Sequence, residues 1–194
     1  MPAFDLRGIH VAEYINANGV ITYGNAISAG DAMDTNLELR FAEGRLYAES
    51  TLAEYMKLAT GGTISLATKY IPDEAQTLMY GAQESSRTVG SNKTVKGLKF
   101  TAKDSAKYVG VSFYAPDMID GTQKYTCVFV ARALFGPPSY VYQTRGESIT
   151  FQTPTTTGEF LADHSTQQLL LDIATVDTEA DAVAWCAAVF GTEA

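Results

Sequence analysis

Hydrophobic and polar residues alternate with a period of two along much of this chain, a pattern typical of half-buried β-strands. The first unit, GIHVAEYINANGVITYG, places two short apolar-rich runs on either side of Asn18-Gly19, a pair that favours the tight turn of a β-hairpin. A second hairpin is predicted in NLELRFAEGRLYAES, with Leu37, Leu39 and Phe41 on one face, charged residues on the other and a turn at Glu43-Gly44.

The stretch KLATGGTISL raises the question whether Gly61-Gly62 cradles a phosphate or only turns the chain. A phosphate loop needs Lys and Ser/Thr at a fixed spacing and a helix that starts at the loop. Neither residue type stands at that spacing, and residues 63–68 alternate like a strand. We therefore predict a sharp corner that leads into a strand.

Two short helices are predicted among the strands. IPDEAQTLMYGA can begin at Pro72 and end at Gly81, and VDTEADAVAWCAAVFG can be capped by Asp177 or Thr178 and end at Gly191. Further strands are predicted around residues 98–102, 109–113, 124–135 and 147–153, with a flexible connector at 84–94. The pattern predicts one β-rich α+β domain over residues 1–194, a sandwich or partly closed barrel with short flanking helices.

The segment NAISAGDAMD, from Asn25 to Asp34, is small, polar and without a sustained period, so it is predicted to be a long loop. Loops of this length in a small domain are usually functional or mobile. We expect this one to be mobile in the free protein and to become ordered against a partner, because it has few apolar anchors of its own.

Composition limits the function further. The net charge of −8 argues against a protein that reads nucleic-acid sequence. The charge is also segregated: residues 87–107 hold six basic and one acidic residue, giving +5, whereas residues 146–194 hold eight acids and no Lys or Arg. These segments are either two solvated faces or surfaces that meet between copies of the chain. The inter-subunit charge candidates are Lys93, Lys96, Lys99, Lys103 and Lys107.

No constellation of catalytic or metal-binding residues stands out. Asp163-His164-Ser165 contains the residue types of a triad, but sequence neighbours point apart, and His10 has no ligand-spaced companions. Cys127 and Cys186 lie in apolar runs and are predicted to be buried, reduced thiols. We expect no enzyme activity, no cofactor, no metal and no membrane partner. The 11 tyrosines suit either a sugar-binding surface or subunit contacts.

The stretch RLYAESTLAEYMKLATGGTISLATKYIPDEAQTLMYGA resembles the major tail proteins of long-tailed bacteriophages. In that family an LYAD/E hairpin, a glutamate-bearing segment, a GGT corner and a helix follow one another in this order. GVSFYAP, YTCVFVARALFGPPS and ITFQTPTTTGEFL are similar to its later strands, and TEADAVAWCAAVFG is similar to its closing helix. The resemblance extends over roughly Gly8 to Gly191, and the order of the motifs carries it.

This resemblance implies a tail-tube subunit that forms hexameric rings, which a long loop stacks into a tube. The implied partners are other copies of the chain, the tape-measure protein, the tail terminator, and DNA that passes through the lumen without sequence-specific binding. The implied location is the virion tail, assembled in the host cytoplasm, and no C-terminal immunoglobulin-like domain is expected. The inter-ring loop candidates are Asn25, Gly30, Asp31 and Asp34.

A tube that conducts DNA has to hold the polymer in line without gripping it, and acidic side chains that face the lumen would do so by repelling phosphate. The lumen-facing candidates are Glu38, Glu43, Glu49 and Glu54. Two alternatives stay open. One is the related tube protein of a secretion or contractile injection machine, and the other is a monomeric carbohydrate-binding β-sandwich.

Overall fold

The predicted β-rich α+β fold is confirmed by a computed structural model that describes residues 4–48, 50–90, 92–142, 144 and 153–191. Most of the described residues lie in strands, and the two helices are short. In chain order the elements are β1 (Arg7–Ala17), β2 (Val20–Tyr23), β3 (Ile27–Ser28), β4 (Ala32–Ala48), β5 (Thr51–Thr68), α1 (Asp73–Tyr80), β6 (Gln83–Val89), β7 (Lys93–Lys99), β8 (Val109–Ile119), β9 (Thr122–Phe135), β10 (Thr155–Phe160), β11 (Leu171–Val176) and α2 (Glu179–Ala188).

Nine of these strands form one antiparallel sheet in the order β2-β1-β8-β9-β10-β5-β4, with β11 added to β9 and β3 added to β1. The remaining two, β6 and β7, form a separate two-stranded hairpin. Within the described chain the large sheet does not close into a barrel, because β2 and β4 end its strand order. The architecture is therefore an open antiparallel sheet that packs helices on its faces.

The main core lies on one face of this sheet, where inward residues of β1, β5, β8 and β9 meet α1. Ile64 and Leu66 of β5 are fully buried there beside Ala75 and Met79 of α1. The opposite face is covered by α2, whose Cys186 packs near Cys127 of β9. Period-two alternation in the strands places alternate side chains in these two layers.

Local sequence signals fix the ends of several elements as predicted. Asn18 and Gly19 both have positive φ, and Ala17 pairs with Val20 across a two-residue turn. Thr178 caps α2 by accepting a hydrogen bond from the Asp181 amide. Gly81 ends α1 in the left-handed conformation.

The corner predicted at Gly61-Gly62 is wrong, because β5 runs continuously from Thr51 to Thr68. The two glycines are needed for close packing instead. A Cβ on Gly62 would lie 2.1 Å from the Glu38 carbonyl oxygen and 2.4 Å from the Phe160 ring, and a Cβ on Gly61 would lie 2.5 Å from the Phe160 carbonyl oxygen. The glycine pair thus allows β4 and β10 to approach β5.

The turn predicted at Glu43-Gly44 is also wrong, since β4 continues to Ala48 and pairs with β5 along that length. The predicted Asn25–Asp34 loop is only partly irregular. It contains β3, which pairs with β1, and it ends inside β4. Gly30 is buried, and a Cβ there would lie 1.9 Å from the Tyr70 carbonyl oxygen.

Two other predictions differ from the structure or fall outside it. The connector predicted at 84–94 is largely strand, because β6 pairs with β7 in register from Gln83↔Lys99 to Val89↔Lys93. Residues 100–102, predicted to continue a strand, have no regular structure. The strand predicted at 147–153 lies almost wholly outside the described residues.

Candidate assembly surface

The far half of the β4–β5 hairpin projects from the domain. We call residues 41–48 and 50–60 the distal arm. Each of these residues is exposed, and their strand partners lie within the arm itself, from Phe41↔Ala59 to Ala48↔Thr51. At about 3.3 Å per residue the arm is roughly 26 Å long. It is a two-stranded ribbon without a core beneath it.

The two faces of the hairpin exchange character where the arm begins. Nearer the domain, Leu37 pairs with the buried Ile64 and packs against the core, while its neighbour Glu38 is exposed. The register then shifts between Arg40 and Phe41, which leaves Thr60 as an extra residue. Beyond the shift the odd-numbered positions of β4 are charged at Glu43 and Arg45 and aromatic at Phe41 and Tyr47, whereas the even-numbered positions are apolar or glycine up to Leu46.

The charged side chains on the odd-numbered face of the arm form ion pairs with one another. The Glu43 carboxylate lies 3.4 Å from Lys57 Nζ and 3.4 Å from the Arg45 guanidinium. Hydrogen bonds from Tyr55 and Lys57 hold the pKa of Glu43 below its usual value. Lys57 also lies 4.5 Å from the centre of the Phe41 ring. The charges of this face therefore form a connected surface network with the rings of Phe41 and Tyr55.

The even-numbered face is different, and we call it the apolar arm face. Leu58 stands opposite Ala42, Met56 opposite Gly44, and Leu46 opposite Glu54. The exposed fractions are 57% for Leu46, 63% for Met56 and 59% for Leu58. Contiguous exposed aliphatic side chains mark surfaces that a partner covers. Nothing in the described part of the chain covers these.

The arm also belongs to an unpaired sheet edge. In the described chain β4 forms its ladder with β5 alone, so its other edge presents main-chain N–H and C=O groups along the strand. Such edges pair readily with another strand unless charge, proline or a cover prevents it. The bulge opposite Arg40 and Phe41 inserts its extra residue, Thr60, into β5 and not into this edge strand.

The predicted lumen candidates do not share one face. Glu38 and Glu54 lie on the side of the hairpin that includes the apolar arm face, whereas Glu43 lies on the opposite side, because odd and even positions of a strand point apart. Glu38 accepts a hydrogen bond from Asn36 at 3.1 Å. Glu49 lies outside the described residues.

The inter-ring loop candidates are spread over different environments. Asn25 is exposed, Gly30 is buried, and Asp31 lies 3.7 Å from Lys69. Asp34 lines a cavity of about 490 Å³ at the end of the main core, together with Phe4, Met33, Phe113 and Ile173. Only parts of the predicted loop are therefore free to contact another molecule.

The segregated charges are used unevenly within the chain. Of the five lysine candidates, Lys107 pairs with Glu13 at 2.8 Å, and the other four form no ion pair with a described residue. Several C-terminal acids are already engaged: Glu159 with Arg40 at 3.2 Å, Asp177 with Lys124 at 3.0 Å, and Glu179 with Arg7 at 2.7 Å. Three acids of the C-terminal third are thus balanced by basic residues of their own chain.

The residues considered for catalysis do not converge. Asp163 accepts hydrogen bonds from the Ser165 hydroxyl at 2.6 Å and the Leu169 amide at 2.8 Å, so it holds a turn together. His164 points elsewhere and accepts a hydrogen bond from Arg132 through Nε2 at 3.1 Å. Burial raises the pKa of the Cys186 thiol to about 12, which keeps it protonated at neutral pH.

The described residues contain no group of three or more metal-ligating side chains and no helix long and apolar enough to cross a membrane. No known protein-family model matches the sequence, and no curated protein shows significant similarity to it. Sequence reasoning did not find the apolar arm face, because it assumed that the hairpin ended at Glu43-Gly44. The exposed feature that stands out is this face and the free β4 edge beside it.

Proposed function

We propose that this protein is a structural subunit that assembles with copies of itself, and that the assembly is the tail tube of a long-tailed bacteriophage. The order of sequence motifs supports the second half of this proposal through its resemblance to major tail proteins. The distal arm supports the first half. In the proposed assembly six subunits form a ring, and rings stack into a tube.

The observation that carries the proposal is the uncovered apolar arm face. Burying the exposed part of an aliphatic side chain such as Met56 or Leu58 is worth about 1 kcal/mol or more. Several such side chains on one ribbon, repeated at every subunit contact of a ring, supply a cooperative driving force for assembly. A free monomer would leave them in water.

The polar outer surface of β4, β5 and β10 is the proposed channel wall. Glu38, Thr63 and Glu159 stand side by side across these three strands. Arg40 pairs with Glu159, so the wall offers no unpaired cation at this row. An acidic and hydroxyl-rich wall would repel DNA phosphates and let the polymer slide.

The proposal is tested by sedimentation velocity and negative-stain electron microscopy of the purified full-length chain over a range of concentrations. We expect ring-shaped particles or tubes with an open central channel, in equilibrium with smaller species on dilution. A monomer at every concentration would overturn the proposal and would favour a module that binds a ligand alone, such as a sugar-binding domain.

A further inference from the structure

The β6–β7 hairpin carries a second uncovered surface, and its chemistry differs from that of the distal arm. The hairpin belongs to no larger sheet. In the register of this pair, the side chains of Arg87, Lys93 and Lys99 lie on one face with Val89 and Val95. We call this the cationic face. It carries no acidic side chain among the residues that the structure describes there.

The other face of the same hairpin carries its acidic residue. Glu84, Ser86, Lys96 and Leu98 lie on it, and they line a cavity of about 320 Å³ together with Asp73 of α1. The acid of the hairpin, Glu84, therefore lies on the face opposite to Arg87, Lys93 and Lys99. A single polyanion can therefore approach the cations without passing an acid of the hairpin.

The three cations are largely uncompensated. Within the described chain Arg87, Lys93 and Lys99 form no ion pair. The pKa of Asp104 is lowered mainly by hydrogen bonds from Thr101, and the nearby charge of Lys99 adds to this effect. By contrast, Lys69, Lys107 and Lys124 each lie within 3.7 Å of a carboxylate. These three lysines are balanced, whereas the cations of the hairpin are not.

We propose that the cationic face binds the phosphodiester backbone of duplex DNA without reading its sequence. The charges are complementary, and the six-residue separation of Lys93 and Lys99 spans roughly 20 Å, which is about six phosphates of one strand. A two-stranded ribbon also has the width that a major groove admits.

A protein partner fits this face less well. Protein–protein interfaces are enriched in aromatic residues and depleted in lysine, and neither β6 nor β7 contains an aromatic residue. Three acids of the C-terminal third that would be natural targets on a second copy, Glu159, Asp177 and Glu179, are already paired within their own chain. DNA contact is independent of the proposed assembly and would hold for the isolated subunit.

The test measures fluorescence anisotropy of a labelled 20-base-pair duplex of random sequence against the full-length protein in 50 mM salt. Three phosphate contacts predict a log–log salt slope of about −2.7, so affinity should fall about 40-fold between 50 and 200 mM salt. The triple variant R87Q/K93Q/K99Q should lose at least tenfold in affinity. The variant K93R/K99R keeps the charges and should bind like the wild type.

The matched control is K69Q/K107Q/K124Q, which removes the same number of positive charges from ion-paired positions and should change affinity less than threefold. Equal losses in the two triple variants would overturn the proposal, because net charge alone would then explain binding. Absence of wild-type binding at 50 mM salt would also overturn it. Two further results would identify the partner as an acidic protein surface and would overturn the proposal. One is that polyglutamate displaces the labelled duplex as effectively as unlabelled DNA at equal charge concentration. The other is that R87Q/K93Q/K99Q loses self-association.

Discussion

Met56 stands directly opposite Gly44 on the apolar arm face, and its side chain is 63% exposed. Because glycine has no side chain, its cross-strand partner cannot shield the thioether of Met56. Met56 therefore protrudes beside the gap that Gly44 leaves. Leu58, which stands opposite the small Ala42, repeats this arrangement at the next pair on the same face. Such a surface gains little from its own chain and much from a neighbouring molecule.

Placing charges on this face should prevent assembly while leaving the domain folded. We expect M56E/L58E to sediment as a monomer at concentrations at which the wild type forms larger particles, because carboxylates would be desolvated in the contact. The control is V20E, since Val20 is also 63% exposed but lies in the β1–β2 hairpin. If V20E blocked assembly as strongly as M56E/L58E, the apolar arm face would have no special role.

The double glycine of β5 should be sensitive to a single methyl group. Gly62→Ala places a Cβ against the Glu38 carbonyl and the Phe160 ring, and we expect it to lower the free energy of unfolding by about 2–3 kcal/mol. Gly44→Ala is the control, because a Cβ there meets no atom within 4 Å, and its melting temperature should stay near that of the wild type. Equal melting temperatures for the two variants would contradict this explanation of the glycine pair.

The buried thiol of Cys186 should make the protein less stable at alkaline pH. Its pKa is raised by burial to about 12, above that of an unfolded thiol, so the folded state retains a proton that the unfolded state releases. Its contribution to stability is complete below about pH 8.5 and is lost as pH rises toward 12.

This effect can be isolated with Cys186→Ala. Between pH 9 and 11 the free energy of unfolding of the wild type should fall by up to about 1.4 kcal/mol per pH unit more than that of the variant. Urea titrations at a series of pH values measure both slopes. Buried Tyr23 and Tyr80 also lower the stability at alkaline pH, but they do so equally in both proteins. Parallel plots of the free energy of unfolding against pH would therefore mean that Cys186 has no raised pKa.

The charged face of the arm makes a separate prediction about Glu43. Its pKa is lowered first by the hydrogen bond from Tyr55, so Tyr55→Phe should raise that pKa toward its usual value. Carboxyl carbon NMR in the monomeric M56E/L58E background measures it. Tyr47→Phe, on the same arm, is the control and should leave Glu43 unchanged. An unaltered Glu43 titration in the Tyr55→Phe protein would show that the network is not formed in solution.

Features encoded by a few neighbouring residues could be predicted from the sequence. The Asn18-Gly19 turn, the Thr178 cap and the Gly81 helix end depend on local dihedral preferences and short hydrogen bonds, and all three are present. The β-rich class followed from period-two alternation. The fold class was therefore readable without knowledge of distant contacts.

The candidate assembly surface could not be predicted from neighbouring residues, because it depends on contacts between distant parts of the chain. Gly61-Gly62 looks like a corner until Phe160, about a hundred residues later, is placed against it. The length of β4 depends on cross-strand partners such as Lys57, and the exchange of faces depends on one extra residue at Thr60. The β6–β7 hairpin has too little apolar alternation to be predicted from sequence, since serine, threonine and lysine fill half of its strand positions.

A cryo-electron microscopy map of the assembled wild-type protein tests the central claim most directly. The account predicts stacked six-membered rings around an open channel, with Ala42, Leu46, Met56 and Leu58 of each subunit packed within about 4.5 Å of a neighbouring copy. A map in which these four side chains face solvent, or in which the particles are closed dimers without a channel, would contradict it.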